Sequence, residues 1–200
     1  MTEGPNPLRR PARRTASHAR RRQAGALSAE APAAAPASAT AAAAAPASRA
    51  AAALPGEPRV VVFDIDGTLA DVSERLHHVQ SRPKNWDAFF AGMAQDKAVR
   101  AIVRLCNLLH DAGLRVVLCS GRPETYRETT LAWLHREGVR FHELRLRRSR
   151  DRRSDTLAKR EILADLPPAE VLFIVEDRSA VVEMWRTAGY VCLQCAPGEF

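Results

Sequence analysis

Four apolar residues in a row, Val60 to Phe63, run without a break into Asp64-Ile65-Asp66-Gly67-Thr68. An apolar run with no polar alternation marks a strand covered on both faces, as strands are in parallel sheets. Asp64 and Asp66 emerge where that strand ends, and ligands of open α/β sheets bind at the carboxyl ends of strands. Two carboxylates at alternate positions on one strand tip suit divalent-metal and phosphate chemistry. An Asp-rich turn with capping aspartates is the plain alternative, and the buried-type strand directly upstream argues against it.

The residues that follow alternate between helical and strand patterns. From Ala70 to Asp96 there is no clear period, and this stretch holds Trp86, Phe89 and Phe90. Residues 97–112 put Val99, Ile102, Val103, Cys106 and Leu109 on one helical face, with Gly113 where a C-terminal cap belongs. Leu114–Cys119 reads as a second buried strand and ends in Ser120-Gly121-Arg122. Pro123 suits the first turn of a helix that runs to Glu137 and stops at Gly138. Phe141–Leu146 reads as an edge-like third strand, and Ser154 or Asp155 as the cap of a helix through about Asp165. Val171–Val175 is a fourth strand ending in Glu176-Asp177, a helix containing Val181, Met184 and Trp185 stops at Gly189, and Tyr190–Gln194 is the last strand. Strands alternating with helices predict right-handed βαβ units and an α/β fold with a doubly wound parallel sheet. The polar clusters then converge on one edge of that sheet.

Composition divides the chain near Pro58. Residues 1–57 hold eight arginines and three acids among mostly Ala, Pro and Ser, with almost no aromatic or branched apolar side chains. Such a segment buries too little apolar surface to offset its ordering entropy, so a disordered tail is expected before one domain over residues 58–200. The formal charge of +7 sits mainly in that tail, because the domain's 22 basic and 20 acidic residues leave only +2. Within the domain, Arg140–Arg160 carries nine basic residues against three acids. That cluster points to an anionic partner, nucleic acid above all, with a solvated loop as the plainer reading. No run of about 18 apolar residues occurs, so no membrane span is expected. The Arg-rich tail, with Arg9-Arg10 and Arg13-Arg14, imitates a targeting segment but lacks an apolar core, and an extension without an address is the expectation. Cys192-x-x-Cys195 has no partner pair beyond Cys106 and Cys119, reads as part of a strand, and fits a reduced, cytoplasmic setting.

A phosphate monoester arriving at the sheet edge would meet a complete set of reacting groups. Asp64 can attack phosphorus in line and form an aspartyl-phosphate. Asp66 can protonate the leaving oxygen and later deprotonate the attacking water. Carboxylate and phosphate repel each other, so the site needs cations, and Mg2+ is the expected one because it prefers oxygen ligands. Asp64 and Asp177 would supply carboxylates to it and Asp66 its backbone carbonyl. Lys159 would add a fixed positive charge, and Ser120 with nearby amides would donate hydrogen bonds. Asp155 and Lys159, four apart, share one helix face, where an ordinary surface ion pair is the alternative.

With Asp64-x-Asp66-Gly67-Thr68, Ser120, Lys159 and Glu176-Asp177 in this order, the chain resembles the haloacid dehalogenase (HAD) superfamily of phosphotransferases. Over residues 60–200 it is similar to the 3′-phosphatase domain of phage-type polynucleotide kinase. The most specific stretches are Glu176-Asp177-Arg178 through Val181-Val182-Glu183-Met184-Trp185-Arg186, and Cys192-x-Gln194 to Gly198-Glu199-Phe200. Ser120-Gly121-Arg122 and Asp155-x-x-x-Lys159 fit the same subgroup. The resemblance implies a HAD-like fold with a minimal cap, Asp64 as nucleophile and Asp66 as general acid/base. It also implies metal binding by Asp64, Asp66, Glu176 and Asp177, and phosphate binding by Lys159. Thr68, Ser120 and Gly121 would line the substrate, Arg75 and Arg122 would contact it, and Asp155 would be a further active-site acid. Glu176 departs from the pattern, which often has Asp there; the longer acid should still orient metal-bound water.

Two absences sharpen the expectation. No Gly-x-x-x-x-Gly-Lys-Ser/Thr occurs, so the kinase half of such a bifunctional enzyme is missing and a free-standing phosphatase module is expected. The residues from Ala70 to Asp96 are too few for a large cap, and an open site fits the end of a polymer, with Trp86, Phe89 and Phe90 either stacking a base or packing the small cap. The function expected is therefore magnesium-dependent removal of 3′-phosphates from nucleic acid ends, in repair or RNA processing, alongside a separate kinase or ligase. A phosphatase of small nucleotides or sugar phosphates, and a nucleic-acid-binding module without turnover, are the competing readings.

Overall fold

The computed structural model describes residues 59–198; the expected disordered tail, residues 1–57, lies outside them. β1 (Val60–Phe63) is buried at every position. Val61 and Phe63 belong to one apolar cluster and Val60 and Val62 to another, which is the physical reason this strand shows no alternation. The chain then makes an excursion through β2 (Ala70–Asp71), α1 (His77–Gln80), α2 (Trp86–Ala91), a 3-10 turn at Met93–Gln95 and β3 (Lys97–Ala98). β2 and β3 pair antiparallel. There follow α3 (Arg100–Asp111), β4 (Arg115–Pro123), α4 (Arg127–Arg136), β5 (Glu143–Arg147), α5 (Asp155–Ile162), β6 (Val171–Arg178), α6 (Ser179–Thr187) and β7 (Cys192–Gly198).

The larger sheet has five strands in the order β5-β4-β1-β6-β7, all parallel. Val103 and Cys106 of α3, with Trp133 and Leu134 of α4, join Val61, Phe63, Val116 and Leu118 on one face. Leu163 just beyond α5, with Val181, Val182 and Trp185 of α6, joins Val60, Val62, Val117 and Ile174 on the other. Each such buried aliphatic or aromatic side chain contributes about 1.5–3 kcal/mol relative to exposure. The sheet is thus doubly wound, as expected. From β1 the chain moves outward through β4 and β5, then returns to lay β6 against the opposite side of β1. Winding reverses between β1 and β6, and ligands of open α/β sheets bind at the strands' carboxyl ends beside such a switch point.

Several boundaries differ from the sequence expectation: the helical pattern over 97–112 divides into β3 and α3, β4 runs past Cys119, and α5 stops at Ile162. Pro123 does not open a helix: its backbone is extended (φ −62°, ψ 145°), it closes β4 opposite Arg147, and a 3-10 turn at Glu124–Tyr126 precedes α4. A proline at a strand end forfeits no ladder hydrogen bond that matters. β6 continues through Glu176 and Asp177 because Glu176 pairs with Gln194 and Arg178 with Gly198. β7 accordingly starts and ends later than expected and carries both Cys192 and Cys195, which are free thiols. The excursion has a small core of its own, Val72, Val79 and Phe89, with Leu76 and Phe90 packed against it. Among the described residues no helix is long and apolar enough to cross a membrane.

Candidate active site

Asp64 follows β1, while Glu176 and Asp177 end the inner part of β6, so the switch point brings the three acids together. One oxygen from each lies within 4.8 Å of the others, and all three residues are buried. Lys159 enters from α5: its Nζ is 2.7 Å from Asp64 Oδ1 and 2.7 Å from Glu176 Oε2. Burial, reinforced by Glu176, pushes the Asp64 carboxyl well above the usual carboxylate range, and Lys159 opposes this only in part. Burial and the Asp64 charge carry Asp177 up to about 7. Glu176 is raised by burial against the pull of Lys159. Burial would discharge Lys159, but Asp155, Asp64 and Glu176 outweigh it and hold the ammonium charged. Three acids against one ammonium leave the site short of positive charge. That deficit and the all-oxygen donor set fit a hard divalent cation such as Mg2+.

Two glycines close on the same carboxylate. A Cβ on Gly67 or on Gly198 would stand 2.1 Å from Asp177 Oδ2, and Gly67 also has φ +92°. Thr68 Oγ1 donates to Asp177 Oδ1 at 3.4 Å, and Gln194 Nε2 donates to the Asp177 carbonyl at 2.8 Å.

Asp66 faces a different environment, although it is only two residues from Asp64. Arg75 Nη2 lies 2.5 Å and Arg122 Nη2 2.6 Å from its Oδ1, and Arg122 Nε is 3.1 Å from its Oδ2. Burial alone would raise its pKa; Arg122 and Arg75 outweigh burial and lower it to about 2. Asp96, just before β3, holds the far side of the same guanidiniums, at 2.8 Å from Arg75 Nε and 3.4 Å from Arg122 Nη2. Arg122 is fully buried and Arg75 nearly so. Expected at the substrate, these arginines here bind Asp66 and Asp96.

Asp155, expected as a further active-site acid, is a hub among cations: Arg147 at 2.8 Å, Arg178 at 3.2 Å and Lys159 at 3.4 Å. Burial opposes its ionisation, but Lys159, Arg178 and Arg147 together lower its pKa. A Cβ on Gly121 would meet Asp155 Oδ1 at 2.3 Å, so this loop approaches because residue 121 has no side chain. Ser120 is buried beside it, with Oγ accepting from Arg122 N at 3.3 Å. The structure thus gathers the residues expected from the sequence into two joined groups, Asp64-Lys159-Glu176-Asp177-Thr68 and Asp66-Arg75-Arg122. Sequence reasoning missed Asp96, Gln194, Arg147 and the packing role of Gly198. Asp96 closes an aperiodic stretch, and no spacing relation ties it to the other acids.

Of the aromatics in the excursion, Phe89 is buried and its ring lies 4.0 Å from the Arg75 guanidinium, so it packs the cap. Trp86 is 40% exposed and stacks on Phe90 at 5.9 Å, and Phe90 in turn meets Tyr126 at 5.4 Å. Phe90 and Tyr126 thereby connect the cap to the rim that follows β4.

Residues 58–200 match the family model described as the polynucleotide kinase PNKP phosphatase domain. A chain in a structure of a Pnkp1/Rnl/Hen1 complex is 28% identical over 72% of this chain and 47% of its own length, with a TM-score of 0.61. A chain in a structure of the Pnkp1/Rnl/Hen1 RNA repair complex is also 28% identical, over 73% of this chain and 45% of its own, with a TM-score of 0.61. The present chain thus spans about half the length of these relatives. A haloacid dehalogenase-like hydrolase from Streptococcus pneumoniae shares the fold at 14% identity, covering 68% of this chain and 84% of its own, with a TM-score of 0.52.

Proposed function

The chain belongs to the polynucleotide kinase phosphatase-domain family, and on that premise we propose that it removes phosphate from the 3′ ends of polynucleotides with the help of Mg2+. The observation that carries the reading is the joining of two carboxylate environments at one strand tip: Asp64 against Lys159, and Asp66 against two arginines. Asp64 lies among the clustered acids, where a bound cation would hold it as the carboxylate a nucleophile needs, whereas the Asp66 carboxyl is held apart by the arginines, where it can serve the leaving oxygen.

The Asp64 carboxylate attacks phosphorus; the bond from phosphorus to the ester oxygen breaks, and that oxygen leaves with the electron pair and takes a proton from Asp66. Asp66 is ionised at rest; a phosphate dianion arriving beside it opposes the arginines and raises its affinity for a proton, which it takes up from solvent before the transfer. Lys159 and the Ser120 hydroxyl hold the phosphoryl oxygens during transfer. Water, deprotonated by Asp66, then attacks the aspartyl-phosphate and restores Asp64. Asp64, Glu176, Asp177 and the Asp66 carbonyl would hold magnesium, which when bound offsets the repulsion between the acids and the incoming dianion.

Support for a polymer end comes from the small size of the cap between β1 and α3 and from Trp86, 40% exposed on it. Basic surface adds to it: Arg148 and Arg153 lie on the loop beyond β5, 84% and 47% exposed at their side chains and paired, among the described residues, only with Glu161 and Asp151, partners that a phosphate backbone can replace. Work beside separate end-processing proteins, a kinase or a ligase, is part of the same proposal. The test is release of phosphate, with magnesium, from a 3′-phosphorylated oligonucleotide and from a 3′-mononucleotide. The oligonucleotide is expected to be the better substrate; preference for the mononucleotide would move the reading to small nucleotides. Asp64→Asn should release no phosphate from either while melting like the wild type, and turnover by that variant would overturn the assignment of the nucleophile.

A further inference from the structure

Asp96 has no place in the chemistry so far, yet it is buried with the site. Its Oδ1 accepts from Arg75 Nε at 2.8 Å and its Oδ2 from Arg75 Nη2 at 2.7 Å and Arg122 Nη2 at 3.4 Å. The same two guanidiniums reach Asp66 on their other side, so charge alternates around a closed ring: Asp96, Arg75, Asp66, Arg122. Two buried guanidiniums need two counter-charges. Were Asp66 the sole acid between them, the arginines would repel each other and compete for one carboxylate. Asp96 supplies the second charge and grips Arg75 through two donors, a geometry that fixes orientation as well as position. Its backbone is tied separately to the body of the domain, because Trp133 Nε1 of α4 donates to the Asp96 carbonyl at 2.9 Å.

We propose that Asp96 is a positioning residue for the general acid: by presenting Arg75 and Arg122 in fixed orientation it holds the Asp66 carboxylate where the leaving oxygen takes its proton. The inference rests on the phosphatase reading of the site. The competing account is that Asp96 only ties the excursion between β1 and α3 to the body of the domain.

Leaving groups separate the two. An alkoxide, such as the 3′ oxygen of a nucleotide, leaves poorly without a proton, whereas 4-nitrophenolate leaves without one. A mispositioned acid should therefore slow the first and spare the second, while general loosening should slow both alike. For Asp96→Asn, we expect kcat on a 3′-phosphorylated oligonucleotide to fall about 10- to 100-fold, part of the 10²- to 10⁴-fold a general acid supplies. On 4-nitrophenyl phosphate the fall should be below about threefold, since no proton is needed there. Asp96→Glu, which keeps the charge, should recover part of the oligonucleotide rate, and the same ratio is read on it should the Asn variant fail to fold. Trp133→Phe, which removes the backbone tie and keeps the carboxylate, should lower the melting temperature without changing the ratio of the two rates.

Equal losses on both esters for the Asp96 variants, or no loss on the oligonucleotide, would overturn the proposal. A wild type active on a small alkyl phosphate and inactive on the oligonucleotide would remove the polynucleotide reading, and the ratio would then be measured with that alkyl ester. A wild type inactive on every ester would end both.

Discussion

Position by position, the site is built as much by what is missing as by what is present. Gly198 and Gly67 leave the space that the Asp177 carboxylate fills. Gly198→Ala should therefore displace Asp177 and weaken Mg2+ binding by about 10- to 100-fold, the usual scale for losing support around a metal ligand. Isothermal titration with Mg2+ measures this directly, and unchanged affinity would mean that Asp177 can turn aside without cost. The acids at the strand tips were legible in the sequence because a buried strand and a two-residue spacing determine where they emerge. Lys159 was legible from its helical spacing to Asp155. Asp96 was not, because its role depends on two arginines contributed by separate segments, and no local pattern records that meeting. Nor did spacing reveal that Arg75 and Arg122 would face Asp66, since only the packed cap brings Arg75 there.

The individual strands and helices follow local rules closely, and deviate where a neighbouring strand extends them. β6 runs past its apolar stretch because β7 continues to pair with it as far as Arg178 and Gly198. A polar pair such as Glu176-Asp177 carries no sign, in sequence, that its backbone remains extended. α5 obeys a local rule more directly: Ser154 accepts from Leu157 N at 3.4 Å. Ser154→Ala should cost about 1 kcal/mol of stability, read by urea denaturation, with Lys159 kept in place by its three acids. α2 places one aromatic in the cap core and one at its surface, a distinction that Trp86, Phe89 and Phe90 did not reveal by composition. Trp86→Ala should raise KM for a 3′-phosphorylated oligonucleotide by about 5- to 100-fold, the scale of one lost base stack. Because Trp86 is exposed, the melting temperature should change little. An unaltered KM would assign the exposed ring no part in holding the strand.

At the level of the whole protein, charge and connectivity act over longer distances. Residues 1–57 carry eight arginines against three acids. Their deletion should flatten the dependence of oligonucleotide affinity on salt, since fewer counterions are released on binding. Fluorescence anisotropy across a salt series measures that slope; an unchanged slope would show that the domain alone meets the phosphates. The order of assembly follows from topology. β1, which delivers Asp64, pairs with β4 through Val60 and Arg115 and with β6 through Val60 and Val171, contacts far apart along the chain. Such pairing is slow to form because loop closure precedes any reward. Asp177 further depends on Gln194 and Gly198 of β7. A ribosome-bound chain should consequently lack turnover until residues 192–198 have joined the sheet, and recovery of turnover during refolding should report the arrival of β7 beside Asp177.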